Sequence, residues 1–102
     1  MADIAVFDRV LFAFGADQAL LAQRALGAVI VDPPRAGLHV KASATLLEMA
    51  PPIIFYVSCN PESLARDLKI LGAKYAVERL VVMDLFPHTD HVETVVRLVR
   101  LL

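Results

Sequence analysis

Three residues in this chain carry side chains that can do chemistry and stand at the ends of apolar segments. Cys59, in the stretch YVSCNPESLARD, is the only cysteine among 102 residues. Asp32 ends the apolar run AVIV, and Glu93 stands near the start of the last apolar run. A thiolate attacks electron-poor carbon atoms and a carboxylate can accept a proton. These residue types therefore suit nucleophilic and general-base catalysis.

Asp32 and Cys59 each stand at the end of an apolar segment. AVIVDPP (residues 28–34) and PIIFYVSCNP (residues 52–61) are short, rich in β-branched residues and stopped by proline, which predicts buried strands. The intervening LHVKASATLLEMA has apolar residues at helical spacing. A strand–helix–strand unit of this length implies parallel strands with a right-handed connection.

The second half of the chain predicts a helix and a strand pair. PESLARDLKILGAKY should form a helix with Asn60 as N-cap, Pro61 in the first turn and Gly72 at its end. VERLVVMDLF (residues 77–86) and HVETVVRLVRLL (residues 91–102) predict two strands. The short loop PHTD between them makes these strands antiparallel.

The first 27 residues have a less regular pattern. IAVFDRVLFAF (residues 4–14) predicts a strand, and DQALLAQRALG predicts a helix from about Asp17 to Leu26. The whole pattern predicts an α/β fold built on a sheet of three or four strands, in which the strand that ends at Asp32 exposes an edge.

This topology brings the three reactive residues to one place. Ligands of open parallel sheets bind at the carboxyl ends of the strands, where Asp32 and Cys59 lie. An antiparallel last strand begins at that same edge, so Glu93 faces the same crevice. The unpaired N–H groups of the helix that follows Cys59 favour the thiolate form of a cysteine.

Each of the three residues also has a structural interpretation. A free cysteine often packs as a small buried side chain. Asp32 before two prolines can serve a turn, and Glu93 can be a solvated strand residue. His88 and His91 fit loop positions, and one cysteine with two histidines is not a zinc pattern, so we expect no metal site.

Composition narrows the class of protein. Hydrophobic residues make up 58% of the chain and the mean hydropathy is +0.62. Charges or prolines interrupt every apolar stretch, so we expect no membrane span. The early acidic residues fit neither a signal peptide nor a transit peptide. A net charge of −1 lacks the basic footprint of a self-sufficient nucleic-acid binder. The lone cysteine fits a reducing compartment, and we expect a cytoplasmic protein.

Three stretches in order carry a family resemblance: DPPRAGL (residues 32–38), YVSCNPESLARDL (residues 56–68) and DLFPHTDHVE (residues 84–93). Together they resemble the last three catalytic motifs of the S-adenosylmethionine-dependent RNA uracil-C5 methyltransferases, which form 5-methyluridine in tRNA or ribosomal RNA. The resemblance implies the second half of a Rossmann-like class I methyltransferase sheet, with parallel strands and a terminal antiparallel hairpin. Residues 1–102 would form a single partial catalytic domain, with the motifs in 28–102.

The resemblance also implies a role for each matching residue. Cys59 is the nucleophile that adds to carbon 6 of uracil, Glu93 is the general base, and Asp32 contacts the donor S-adenosyl-L-methionine. Arg66 and Asp67 orient the Cys59 loop. The residues that shape the substrate pocket are Pro33, Arg35, Phe86 and His88.

The chain departs from the family pattern where the donor is held. It has neither the glycine-rich donor-binding loop nor the acidic residue that holds the donor ribose, and no RNA-binding β-barrel or iron–sulfur cysteine cluster precedes the motifs. We expect RNA as the substrate, ribosomal RNA rather than tRNA, and a missing amino-terminal half or a second copy on an exposed edge as the partner.

Two alternatives to an enzyme of this family follow. One is a non-catalytic truncated fragment that lacks the donor-binding half. The other is a thiol hydrolase, which no Cys–His spacing supports.

Overall fold

The computed structural model describes residues 3–7, 10–14, 27–84 and 92–101. Within these ranges the chain forms six strands and two helices. In chain order they are β1 (Asp3–Phe7), β2 (Val10–Phe14), β3 (Ala28–Val31), α1 (Val40–Met49), β4 (Ile53–Ser58), α2 (Pro61–Leu71), β5 (Tyr75–Met83) and β6 (Glu93–Arg100).

The described strands form one mixed sheet in the order β1-β2-β3-β4-β6-β5. Strands β2, β3 and β4 are parallel, and α1 connects β3 to β4, which confirms the predicted strand–helix–strand unit. Strand β6 lies antiparallel between β4 and β5, so the predicted antiparallel pair is also confirmed. The insertion of β6 next to β4 is what brings the last strand to the Cys59 end of the sheet.

One face of the sheet packs against both helices. Burial alternates along β4, where Ile54, Tyr56 and Ser58 are buried and the residues between them are half-buried. Period-two alternation of this kind means that one side of a strand faces a core. The buried apolar residues of the described sheet, the two helices and the loop before α1 are Val29, Val31, Leu38, Ala42, Leu46, Ile54, Tyr56, Leu64, Leu71, Tyr75, Val96 and Leu98.

Three predictions about the sheet are wrong. The sheet has six described strands rather than three or four. The segment 4–14 forms two strands, β1 and β2, which pair antiparallel instead of one continuous strand. The strand that ends before Asp32 is not an edge, because β2 pairs with it in parallel from Val10↔Ala28 to Ala13↔Val31. The predicted helix from Asp17 to Leu26 lies outside the described residues.

The exposed apolar strand is β5, at the opposite end of the sheet from the predicted edge. It is buried at Tyr75 and exposed at every later position. Val77, Leu80 and Val82 are 49%, 48% and 59% exposed. Part of the high hydrophobic content of the chain therefore lies on the surface rather than in the core. Among the described residues, no helix is long and apolar enough to cross a membrane.

The two tyrosines of the chain provide a test of this core. Burial raises the pKa of Tyr75 to about 12, and the Tyr75 hydroxyl donates a hydrogen bond of 2.5 Å to the carbonyl of Pro51. Burial also raises the pKa of Tyr56, with its hydrogen bond to Asp67 as a second cause. Both folded-state pKa values exceed the unfolded value of 10.0.

We therefore expect the tyrosines to contribute stability that is complete below pH 10 and is lost as the pH rises from 10 toward 12. The measurement is the free energy of unfolding in urea across this range, compared with Tyr75→Phe, whose decline should be shallower. Tyrosinate absorbance that develops at pH 10 in the folded protein would contradict the burial of both rings.

Candidate active site

Cys59 occupies the tight connection between β4 and α2. The hydroxyl of Ser58 accepts the N–H of Asn60 at 3.1 Å and donates to the Asn60 carbonyl at 2.9 Å. Asn60 is extended (φ −137°, ψ 110°), and its side-chain oxygen accepts the N–H of Glu62 at 3.1 Å. This is an N-cap followed by Pro61 at the first helical position, as predicted. Cys59 is half-buried between these two fixed neighbours.

Glu93 lies beside Cys59, at the neighbouring position on the adjacent strand β6. The β4–β6 register runs from Ile53↔Val99 to Ser58↔Thr94. One further step pairs Cys59 with Glu93, the first residue of β6, which is half-buried. Residues that oppose each other in an antiparallel pair project to the same face, with Cβ atoms about 4.5–5.5 Å apart. The thiol and the carboxylate therefore belong to one face of the sheet, as the topological argument requires.

Asp32 reaches the same end of the sheet from β3. The parallel register of β3 and β4 ends at Val31↔Tyr56, so Asp32 follows beside Val57. Alternation along β4 puts Val57 and Cys59 on one face, opposite to Tyr56, whose hydroxyl contacts α2. Asp32 is exposed, and partial desolvation raises the pKa of its carboxyl above the usual value.

Of the other four predicted site residues, the structure describes two. Both belong to the loop after β3, where Pro33 is buried and Arg35 is exposed. Phe86 and His88 lie outside the described residues. The structure thus brings Asp32, Cys59 and Glu93 to one edge, while their chemical roles stay predictions.

A set of hydrogen bonds fastens the loop after β3 to the start of α2. The carbonyl of Arg35 accepts from Asn60 Nδ2 at 3.0 Å and from Ser63 Oγ at 2.9 Å. The next carbonyl, that of Ala36, accepts from Arg66 Nη2 at 2.5 Å. We call the four side chains of Asn60, Ser63, Arg66 and Asp67 that bind this loop the clasp.

Asp67 is the buried member of the clasp. Its side chain is 0% exposed, and Oδ2 accepts both the N–H of Leu38 at 2.7 Å and the hydroxyl of Tyr56 at 2.5 Å. Arg66 lies beside Oδ1 at 3.3 Å. A buried carboxylate is tolerated only where hydrogen bonds replace its lost water, and these partners supply them. One side chain thereby joins the loop, β4 and α2.

The clasp adds contacts to two predicted residues and includes residues that the sequence analysis missed. Arg66 and Asp67 were predicted to orient the Cys59 loop, and that role stays a prediction; the structure shows that they bind the loop after β3 and that Asp67 also binds Tyr56 on β4. Ser63 and Tyr56 were not singled out at all. The available signal was the helical spacing of the polar residues 60, 63 and 67, which places them along one side of α2.

Comparison with known proteins places these motifs in a family. The model of the tRNA (uracil-5-)-methyltransferase family matches residues 8–101. The chain belongs to this family. The matched range includes the described strands β2 to β6, both helices and the residues Asp32, Cys59 and Glu93.

Individual relatives agree with that assignment. The chain is 55% identical over 71 residues to a tRNA (uracil(54)-C(5))-methyltransferase of Pyrococcus abyssi. This alignment covers 70% of this chain and 17% of that protein. It is 53% identical over 72 residues to an uncharacterized RNA methyltransferase of Bacillus cereus, covering 71% of this chain and 16% of that protein. The chain therefore spans about one sixth of these curated relatives.

Solved structures confirm the methyltransferase fold. The crystal structure of the Pyrococcus abyssi tRNA (uracil-54, C5)-methyltransferase in complex with S-adenosyl-L-homocysteine superposes with a TM-score of 0.73 at 48% identity, over 82% of this chain and 21% of that chain. A putative DNA modification methyltransferase of an E. coli prophage has a TM-score of 0.52 at 11% identity, over 82% of this chain and 32% of that chain. The latter similarity concerns the fold alone.

Gly37 provides a stability test of the contact between the two motif loops. Its φ is +89°, and a Cβ atom there would lie 2.5 Å from Arg66 Nη2, 2.7 Å from Asp67 Oδ2 and 3.0 Å from Ser63 Cβ. We expect Gly37→Ala to lower the free energy of unfolding by about 2 kcal/mol or more, because backbone strain adds to the loss of clasp contacts.

The matched control is Gly72→Ala, where φ is −60° and a new Cβ would lie 3.1 Å from the Leu68 carbonyl. This variant should stay within about 1 kcal/mol of the wild type. Both free energies are measured by urea unfolding, and equal costs at the two glycines would contradict the close approach at Gly37.

Proposed function

We propose that this chain carries the uracil-activating part of an RNA uracil-C5 methyltransferase that forms 5-methyluridine from S-adenosyl-L-methionine. The observation that supports it most directly is the strand register, which sets Cys59 opposite Glu93 at the carboxyl end of the parallel strands. Nucleophile and base are then neighbours on one sheet face, within reach of one pyrimidine ring. Membership of the family supports the same reaction class.

The first step activates the base. Carbon 5 of uracil is a weak nucleophile toward an alkyl sulfonium. The Cys59 thiolate adds to carbon 6, and the electron pair of the C5–C6 double bond moves through carbon 4 onto its oxygen. The resulting enolate makes carbon 5 nucleophilic. Two rigid neighbours, Ser58 and Asn60, hold the Cys59 backbone during this attack.

Asp32 is the described residue that suits the methyl donor. Its carboxylate is exposed at the end of β3, where it can accept hydrogen bonds from amino or hydroxyl groups. S-adenosyl-L-methionine supplies an electrophilic methyl group when it is bound. The glycine-rich loop and the ribose-binding acid of the family are not in this sequence. In this proposal Asp32 forms one side of the donor site.

The last step restores the aromatic base. Glu93 removes the proton from methylated carbon 5, the C5–C6 double bond re-forms, and the C6–sulfur bond breaks to release Cys59 as a thiolate. Glu93 ends this step protonated and returns its proton to water. Pro33, Arg35, Phe86 and His88 are proposed to shape the pocket for a uridine that is turned out of its stack.

The class of RNA that serves as substrate is a proposal, based on the names of the relatives and on the sequence motifs. Two Pyrococcus relatives are named as tRNA (uracil(54)-C(5))-methyltransferases, which favours tRNA. The residues of the three motifs favour ribosomal RNA, and this preference stays a prediction. The cytoplasmic location of the protein also stays a prediction. Both RNA classes therefore belong in the test.

The test uses RNA that contains 5-fluorouridine, because fluorine at carbon 5 cannot leave as a proton and the covalent adduct persists. The chain is assayed alone and also grafted in place of the matching segment of the Pyrococcus abyssi relative, with tRNA and ribosomal RNA substrates. We expect the graft to form an adduct that a denaturing gel resolves, and Cys59→Ser to abolish it. An adduct from the chain alone would show that the donor half is dispensable.

Glu93 is tested with ordinary uridine RNA. Glu93→Gln should accumulate a methylated covalent adduct, because methyl transfer precedes proton removal and the thiol cannot then be eliminated. Glu48→Gln, an exposed carboxylate on α1, is the matched control and should turn over normally. A folded graft that forms no Cys59-dependent adduct with either RNA would contradict the enzymatic proposal and favour the alternative, a non-catalytic fragment.

A further inference from the structure

We propose that Arg66, together with Ser63 and Asp67, is a positioning residue that holds the donor-side loop and the Cys59 turn as one rigid body. This inference rests on the proposed function, since it explains how that reaction obtains its geometry. It goes further because it assigns a role to side chains that touch neither the base nor the donor in the proposed mechanism.

The contacts are arranged in a way that capping alone does not require. Arg35 O, Ala36 O and Leu38 N–H, from a stretch of only four residues, are all bound by side chains of α2. An isolated helix N-terminus needs acceptors for its own N–H groups, which Asn60 Oδ1 supplies. The additional donors Asn60 Nδ2, Ser63 Oγ and Arg66 Nη2 each reach a carbonyl of the loop. Ser63 Oγ also donates to the Asn60 carbonyl at 3.2 Å, and Arg66 Nη2 also donates to Asp67 Oδ1 at 3.3 Å.

The proposed reaction requires the two loops to be held at a fixed distance. In the proposed reaction Cys59 holds carbon 6 of the base, while the loop that begins at Asp32 holds the methyl donor. The distance from the donor methyl to carbon 5 therefore depends on the distance between two separate chain segments. Reacting atoms must approach to about 3–3.5 Å, and a displacement of about 1 Å can lower a rate by about 100-fold. The pairing of β3 with β4 connects those segments up to Val31↔Tyr56, and the clasp is the described side-chain connection beyond the strand ends.

Arg66 is the suitable residue to change. Its side chain is 55% exposed, so its removal leaves no cavity in the core, whereas Asp67 is 0% exposed. Arg66→Ala removes the hydrogen bond to the Ala36 carbonyl and the ion pair with Asp67 Oδ1, and the double variant Ser63→Ala/Arg66→Ala also removes one of the two bonds to Arg35 O. Arg66→Lys keeps a donor for the carbonyl. Lys69→Ala, an exposed cation one turn further along α2, is the matched control.

The first readout does not depend on activity. In the full chain, amide hydrogen exchange of Gly37 and Leu38 reports the loop directly, because these N–H groups bond to Pro34 O and Asp67 Oδ2. We expect exchange to accelerate about tenfold in Arg66→Ala, more in the double variant, and little in Arg66→Lys or Lys69→Ala. Unchanged exchange in the double variant would overturn the proposal.

The second readout is the rate of adduct formation with 5-fluorouridine RNA in the graft described above. At saturating RNA and donor, and at a temperature where every variant is fully folded, Arg66→Ala should react about 10-fold more slowly and the double variant up to about 100-fold. Arg66→Lys should recover most of the rate. A purely structural role would leave the rate of the folded variants unchanged.

The outcomes separate the two proposals. Faster exchange with an unchanged adduct rate overturns the positioning role and leaves the proposed function intact. A wild-type graft that forms no adduct overturns the proposed function and the catalytic part of this inference together, whatever the exchange data show. Faster exchange, a slower adduct and rescue by lysine support the positioning role.

Discussion

The carboxylate of Asp67 is the point on which the site geometry depends. It is fully buried, yet it accepts hydrogen bonds from the loop after β3, from the Tyr56 ring on β4 and from its neighbour on α2. A buried carboxylate without such partners would be costly, so the three elements must stay together for the group to be tolerated at all. The same interaction that satisfies Asp67 therefore fixes the loop of Asp32 against the helix that follows Cys59.

The sheet adds a second constraint that is independent of the clasp. Parallel β3 and β4 deliver Asp32 and Cys59 to one edge, and antiparallel β6 starts there with Glu93. A slip of one residue in the β4–β6 register would turn Glu93 to the opposite face. Buried Val96 and Leu98 oppose Tyr56 and Ile54 and prevent such a slip, because it would expose them. Core packing on one face thus sets the chemistry on the other.

The chain is short beside its curated relatives, and its sheet keeps apolar surface at β5. It spans about one sixth of its curated relatives. Strand β5 is exposed from Ala76 to Met83, and six of these eight residues are apolar. The residues of β4 that face away from the helices are only half-buried. The buried core of the described residues lies on the helix-covered face, which also carries the clasp.

Sequence alone determined the local elements and the candidate residues. Apolar runs stopped by proline, the Asn60–Pro61 cap and the order of three motifs were enough to predict β3, β4, α2 and the antiparallel strand pair, because these signals are encoded in adjacent residues. Tertiary structure alone decided that β2 covers the edge of β3, since strand pairing is a contact between distant segments. It also decided the partners of Arg66 and Asp67. A buried carboxylate accepts whichever donors the fold brings to it, and Leu38 lies 29 residues away along the chain.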